Sequence, residues 1–158
     1  MHDFLLSSVF EVGFENGSIE DASFQRVSGL SKTLETTVLK SGGLNAMAYN
    51  VPTGMANTNI VLERGMIVKH SAIGKWVESI LNFNGENHVI NPKSVTISLI
   101  RFVGSSKEKQ GEKEVNAKWT FYDCYPVRWS ISDFSSQTSE LAIETLELTY
   151  SHFEREQN

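Results

Sequence analysis

The sequence predicts a mainly β fold of the α+β kind: two packed antiparallel sheets in a barrel or sandwich, with one flanking α-helix. Three observations point there. Apolar and polar residues alternate with a period of two through most of the chain, turn residues break the alternating runs, and only one segment carries helical spacing.

The elements follow in chain order. Phe10, Val12 and Phe14 alternate with Val9, Glu11 and Gly13, and Asn16-Gly17-Ser18 supplies a turn. Phe24 to Ser28 reads as a short strand ending at Gly29. Ser31 to Lys40 alternates Leu34, Thr36 and Val38 against Glu35, Thr37 and Leu39. Asn59 to Arg64 is another short strand, closed by Gly65. From Ser71, a plausible N-cap, Ile73, Trp76, Val77, Ile80 and Leu81 recur at helical spacing until Asn82-Phe83-Asn84-Gly85 ends the run. Trp76 is the natural anchor of that helix on a sheet.

Ser94 to Val103 is the cleanest strand. Val95, Ile97, Leu99 and Arg101 oppose Ser94, Thr96, Ser98 and Ile100, so one face is apolar and the other carries small hydroxyls. Val115 to Cys124 sets Val115, Ala117, Trp119 and Phe121 on one face. Pro126 signals a bend or a sheet edge, and Val127 to Ile131 resumes. Leu141 to Tyr150 is the last strand. The total is seven or eight strands and one helix, in a single domain over residues 1–158.

Two connections stand out. Residues 104–114 mix both charges in a hairpin tip that reads as solvated and mobile. Residues 41–58 exceed the usual loop length. Leu44, Met47, Tyr49, Val51 and Met55 give that segment apolar hooks, as an extended arm docking on a neighbour would need. The other reading has it folded back over its own core.

Composition narrows the function classes. With 14 Lys+Arg against 19 Asp+Glu in 158 residues, the formal net charge is -5, which argues against a specific nucleic-acid site. The one cysteine, Cys124, cannot form an intramolecular disulfide and sits in an aromatic run as a small hydrophobe, which fits a reducing compartment. Met1-His2-Asp3-Phe4-Leu5-Leu6 has an acid where a signal peptide needs bases, and no apolar run reaches the length of a membrane anchor. Folding and assembly in the cytosol are the expectation.

Catalytic chemistry is not visible. His2, His70, His88 and His152 lack metal-ligand spacing, and the glycine-rich Ser41-Gly42-Gly43 lacks the lysine and helix of a phosphate loop. Glu144 and Glu147 are oddly spaced on a strand and face opposite sides. No cofactor, metal or enzymatic activity is expected.

Local signatures nevertheless resemble a family. Ser23-Phe24-Gln25-Arg26-Val27-Ser28-Gly29-Leu30 resembles the "sFqeVsGL" start of phage-tail-type tube proteins. Lys40-Ser41-Gly42-Gly43-Leu44-Asn45 is similar to their "eGGxN" element, and Ile60-Val61-Leu62-Glu63-Arg64-Gly65 to their "vtLkRG" strand, with Glu63 where lysine is common. Trp76 falls in the following helix, where the family tends to carry a tryptophan. The run from Trp119 to Ser130 matches "w.f.naWPvkws", with Tyr125 in place of the first tryptophan of the Trp-Pro pair. Ser132-Asp133-Phe134 and Ala142 to Leu148 match the closing "pdl…iEtleL" strand. These elements occur in the family's order over nearly the whole chain.

The resemblance implies an inner-tube protein of contractile injection systems, related to the Hcp protein of type VI secretion. Such proteins form hexameric rings that stack into a hollow conduit inside a sheath. The implied partners are further copies of the chain, sheath protein, baseplate and spike proteins, and cargo in the lumen, protein toxin or DNA. The particle is a virion tail or an extracellular injection particle. On this implication the 41–58 arm, with Leu44, Met47, Tyr49, Val51 and Met55, is the candidate ring-to-ring contact. Ser94, Thr96 and Ser98 are the candidate lumen wall, with a sheath-facing orientation as the alternative. Two other readings stay open: a divergent tube-initiating subunit at the baseplate, and a monomeric small-ligand-binding β-barrel.

Overall fold

A computed structural model describes residues 8–14, 23–40, 48–65, 72–82, 89–103, 112–132 and 142–157. Among them are ten strands and one helix. In chain order these are β1 (Ser8–Phe14), β2 (Ser23–Phe24), β3 (Arg26–Ser28), β4 (Thr33–Lys40), β5 (Ala48–Ala56), β6 (Ile60–Gly65), α1 (Ala72–Leu81), β7 (Lys93–Val103), β8 (Glu112–Ile131), β9 (Ile143–Thr149) and β10 (His152–Arg155). The main path runs β2-β1-β7-β8-β9-β6-β3, with β10 also on β8, and every pairing is antiparallel.

Two strand runs turn this path into two facing layers. The first is β8, whose earlier part pairs β7 and whose end, Tyr125 to Ile131, pairs β9. Between these parts sits Asp123 in the left-handed region (φ 54°), where the ladder to β7 slips in register. Val127, just after Pro126, is the extra residue of a second slip, so β8 runs through the proline as a bulged strand. The second run is Ser23–Ser28, which pairs β1 through β2 and β6 through β3. The layers form a sandwich: sheet A is β2, β1, β7, the start of β8 and β10; sheet B is the end of β8, β9, β6 and β3.

Cross-strand partners share a face, so register fixes what points inward. Sheet A contributes Val12, Phe24, Val95, Ile97, Phe121 and Phe153 to the core, and sheet B contributes Ile60, Leu62, Leu146 and Leu148. The helix buries Ile73, Trp76, Val77 and Ile80 in the same cluster, with Trp76 set edge-to-face on Phe14 at 5.2 Å. Its indole Nε1 donates to the Asn91 carbonyl. Leu81, the last residue of the predicted apolar stripe, is exposed instead.

Three elements differ from the sequence reading. Residues 48–56 are strand, not loop, and pair with β4 as a separate two-stranded sheet. A short tenth strand follows Tyr150 after a break at Ser151. Val115 also changes sides: the register slips between Leu99↔Ala117 and Ile100↔Val115, which leaves Val115 opposite the core face and exposed. Ser71, the Asn16-Gly17-Ser18 turn and residues 104–111 of the charged tip lie outside the described residues.

Candidate functional site

The hairpin β4–β5 is the least covered part of the fold. Every residue of β4 is exposed, and of β5 only Val51 and Ala56 are partly buried. A two-stranded hairpin in water is marginal alone, and this one packs chiefly on itself. Yet it carries Leu34, Val38, Leu39, Tyr49 and Met55 at 53–58% exposure. Large apolar side chains gathered on one exposed element mark a candidate interaction surface.

Register divides these residues between two faces. Leu34↔Met55, Thr36↔Pro52 and Val38↔Asn50 share one; Thr37↔Val51 and Leu39↔Tyr49 share the other. A slip between Glu35 and Thr36 leaves Thr53 out of the pairing and puts Met55 on the face opposite Tyr49 and Val51. Of the arm residues singled out from sequence, Tyr49 and Val51 thus lie together, Met55 lies on the opposite face, and Leu44 and Met47 fall outside the described residues. Sequence reasoning missed Leu34, Val38 and Leu39 as part of this surface. The signal was present in β4, where apolar residues occur on both sides of the alternation.

The hairpin joins the body through polar ties. Thr58 Oγ1 donates to the Gly29 carbonyl at 3.2 Å, and Ser31 Oγ meets Thr58 Oγ1 at 3.1 Å. Asn57 Nδ2 donates to the Ser151 carbonyl at 2.9 Å, Asn59 Nδ2 to Glu147 Oε1 at 3.1 Å, and Lys32 Nζ sits 4.7 Å over the Phe153 ring. Gly29 has φ +88°, and a Cβ there would lie 2.3 Å from the Asn59 carbonyl oxygen.

The second surface is the outer face of sheet A. Ser94, Thr96 and Ser98 share it, half-buried, with Thr120 opposite Thr96 and Lys118 opposite Ser98. Thr96 Oγ1 donates to the Gly13 carbonyl. Two ion pairs lie here, Lys113 to Glu11 at 2.6 Å and Lys118 to Glu156 at 3.1 Å, while Glu154, opposite Thr120, meets the Tyr122 hydroxyl. Trp76 belongs to neither surface; it is a core residue.

Two polar clusters remain. Arg64, 4% exposed, binds Glu144 Oε2 through Nε at 2.8 Å, stacks on Phe24, and shares Glu144 with the Trp129 indole, which donates to Oε1. Glu147 points to the other side of β9, toward Asn59. Ser151 Oγ contacts Asp123 Oδ2 at 3.0 Å, His152 Nδ1 at 2.9 Å and the Tyr122 carbonyl at 3.2 Å, while His152 stacks on Tyr122. A nucleophilic triad needs the carboxylate on the histidine; here it binds the serine, so the hydroxyl holds the bend at Asp123 rather than being activated. Cys124 is fully buried, and burial pushes its thiol up to about 12, which keeps it protonated and unreactive. Among the described residues no three His, Cys, Asp or Glu side chains group as metal ligands, and no helix is long and apolar enough to cross a membrane.

Known proteins share this arrangement. The family model described as T4-like virus tail tube protein gp19 matches residues 7–154. A chain in the structure of the anti-feeding prophage baseplate superposes with a TM-score of 0.68 at 23% identity, over 98% of this chain and 95% of that one. A chain of the sheath–tube complex of an extracellular contractile injection system, PVC, gives 0.65 at 21%, over 97% and 90%. One from the tube-terminating cap of the anti-feeding prophage gives 0.67 at 18%, over 100% and 93%. At these identities the structures share the fold. No curated protein matches the chain in sequence.

Proposed function

The chain belongs to the T4-like virus tail tube protein family, and from that membership we propose that it is the repeating structural subunit of the inner tube of a contractile tail or injection particle. Six copies close a ring, and rings stack into a hollow conduit. The single observation that carries the assembly reading is the hairpin β4–β5, an element with apolar side chains on both faces and little of its own fold to cover them. The hairpin docks on the neighbouring ring, where Tyr49 and Val51 on one face and Met55 and Leu34 on the other fill pockets.

Ring closure uses the margins of sheet A. Among the described residues, β10 pairs β8 on one side and β2 pairs β1 at Phe10 and Glu11, which makes these two margins of the sheet the candidates for pairing with another strand. A repeated head-to-tail contact between such margins closes a ring. The outer face of sheet A, with Ser94, Thr96 and Ser98, then lines the lumen. Its hydroxyls and ion pairs offer passing cargo, protein toxin or DNA, little to hold. The opposite side of the molecule meets the sheath, and the ends of the tube meet baseplate and spike proteins. The role requires no catalysis and no cofactor, and the particle assembles in the cytosol before release.

The test is Tyr49→Ala with Met55→Ala. Negative-stain images of the purified variant should show folded subunits that fail to stack. Normal tubes from that variant would remove the hairpin from the interface.

A further inference from the structure

The two strands of the hairpin leave the body through linkers whose polar groups are nearly all engaged. On the β4 side, Gly29 turns through φ +88° and its carbonyl accepts from Thr58 Oγ1. On the β5 side, Thr58 Oγ1 also meets Ser31 Oγ, and Asn59 is tied to Glu147 on sheet B. These ties hold the linkers to each other and to sheet B. Two contacts reach the other way: Lys32 Nζ sits over the Phe153 ring of β10, and Asn57 Nδ2 donates to the carbonyl of Ser151, the residue that separates β9 from β10.

Ser151 is itself fixed. Its backbone N–H donates to the Tyr122 carbonyl at 3.0 Å, and its hydroxyl lies 3.0 Å from the Asp123 carboxylate in the bend of β8. The Asn57 bond therefore links the hairpin root to the corner where sheets A and B join. Among the described residues the hairpin packs chiefly on itself, so the contacts at its root govern the angle at which it projects. We propose that Asn57 is a positioning residue for assembly: its side-chain amide, bound to Ser151, holds the hairpin at the angle from which it can dock.

The inference rests on the docking role of the hairpin, and the experiment separates the two. Nitroxide labels at Thr37→Cys on the exposed β4 and Lys75→Cys on the exposed face of α1 report the hairpin angle in the dilute full-length chain. Cys124 is fully buried and stays unlabelled. The unsubstituted root should give one narrow distance distribution by pulsed electron spin resonance. Asn57→Ala and the nearly isosteric Asn57→Asp, which has no N–H to donate, should both broaden it. Their thermal midpoints should stay close to the parent's, because the residue is exposed and the core is untouched. Losing one neutral hydrogen bond shifts an equilibrium by roughly 2- to 10-fold, so tube formation should need roughly that much more protein.

An unchanged distribution in both variants overturns the inference, as does a parent distribution that is already broad. If either variant loses its fold, Ser31→Ala provides the control, since its tie runs between the linkers and should leave the mean distance in place. Broadening by the Asn57 variants alongside normal tubes from Tyr49→Ala/Met55→Ala would mean that Asn57 sets the angle but the hairpin does not dock. Narrow distributions in the Asn57 variants with failed stacking in the hairpin variant would mean the reverse.

Discussion

Single residues carry the constraints that fix this fold, and four of them give sharp expectations. Gly29 combines a left-handed backbone with a carbonyl that a Cβ would strike at 2.3 Å. Gly29→Ala should cost about 2 kcal/mol or more in urea unfolding, from the strained φ and the displaced Asn59 together. Glu144 neutralises the buried Arg64 at 2.8 Å. Glu144→Ala leaves that guanidinium without its carboxylate and should cost about 3–5 kcal/mol, more than replacing both residues with apolar ones. Cys124 and Tyr150 make stability depend on alkaline pH. Burial raises both groups, Cys124 up to about 12 from 9.0. The unfolded chain loses these protons first, so their contribution is fully present below about pH 9 and falls as pH rises toward about 12. Cys124→Ala should flatten that slope in denaturation series. The Tyr150 hydroxyl is buried without a hydrogen-bond partner among the described residues, so Tyr150→Phe should be neutral or mildly stabilising.

At the scale of elements, the central feature is a hairpin whose two faces are both apolar. A neighbour that covered only Leu39, Tyr49 and Val51 would leave Leu34, Val38 and Met55 in water. Leu34→Ser/Met55→Ser and Leu39→Ser/Tyr49→Ser should therefore each block tube formation, while leaving the thermal midpoint nearly unchanged because neither pair touches the core. Sedimentation of assembled protein checks both. Much of the element layout was legible in the sequence. The strands with one apolar face, such as Ser94 to Val103, and the single helix around Trp76 declared themselves through period and turn residues. What escaped notice escaped for physical reasons. β5 contains Pro52 and Gly54, which argue against a strand, and it survives as an edge strand on a bulge. The flip of Val115 comes from a register slip that alternation alone does not encode. β10 is separated from β9 by Tyr150 and Ser151, whose break is held by contacts to Tyr122 and Asp123 far away in sequence. The hairpin root was unreadable for the same reason: Asn57 and Ser151 meet only once the sheets have folded.

For the whole molecule, the sandwich interior is filled by Phe24, Phe121, Ile60, Leu62, Ile97 and Leu148, as suits a rigid building block rather than a container for a small ligand. The sequence signatures in family order reached the same family that the match over residues 7–154 shows. What they could not supply is the division of labour between surfaces, since that depends on which faces the sheet bend at Asp123 turns inward. In the proposed assembly the outer face of sheet A lines the lumen, its margins close the ring and the hairpin stacks the rings. The most direct test is electron cryomicroscopy of the purified protein at high concentration. Hollow tubes of stacked six-membered rings, with Ser94, Thr96 and Ser98 facing the channel and the hairpin buried against the next ring, are the predicted result. A protein that stays monomeric at every concentration, or tubes in which the hairpin projects free into solvent, would contradict it.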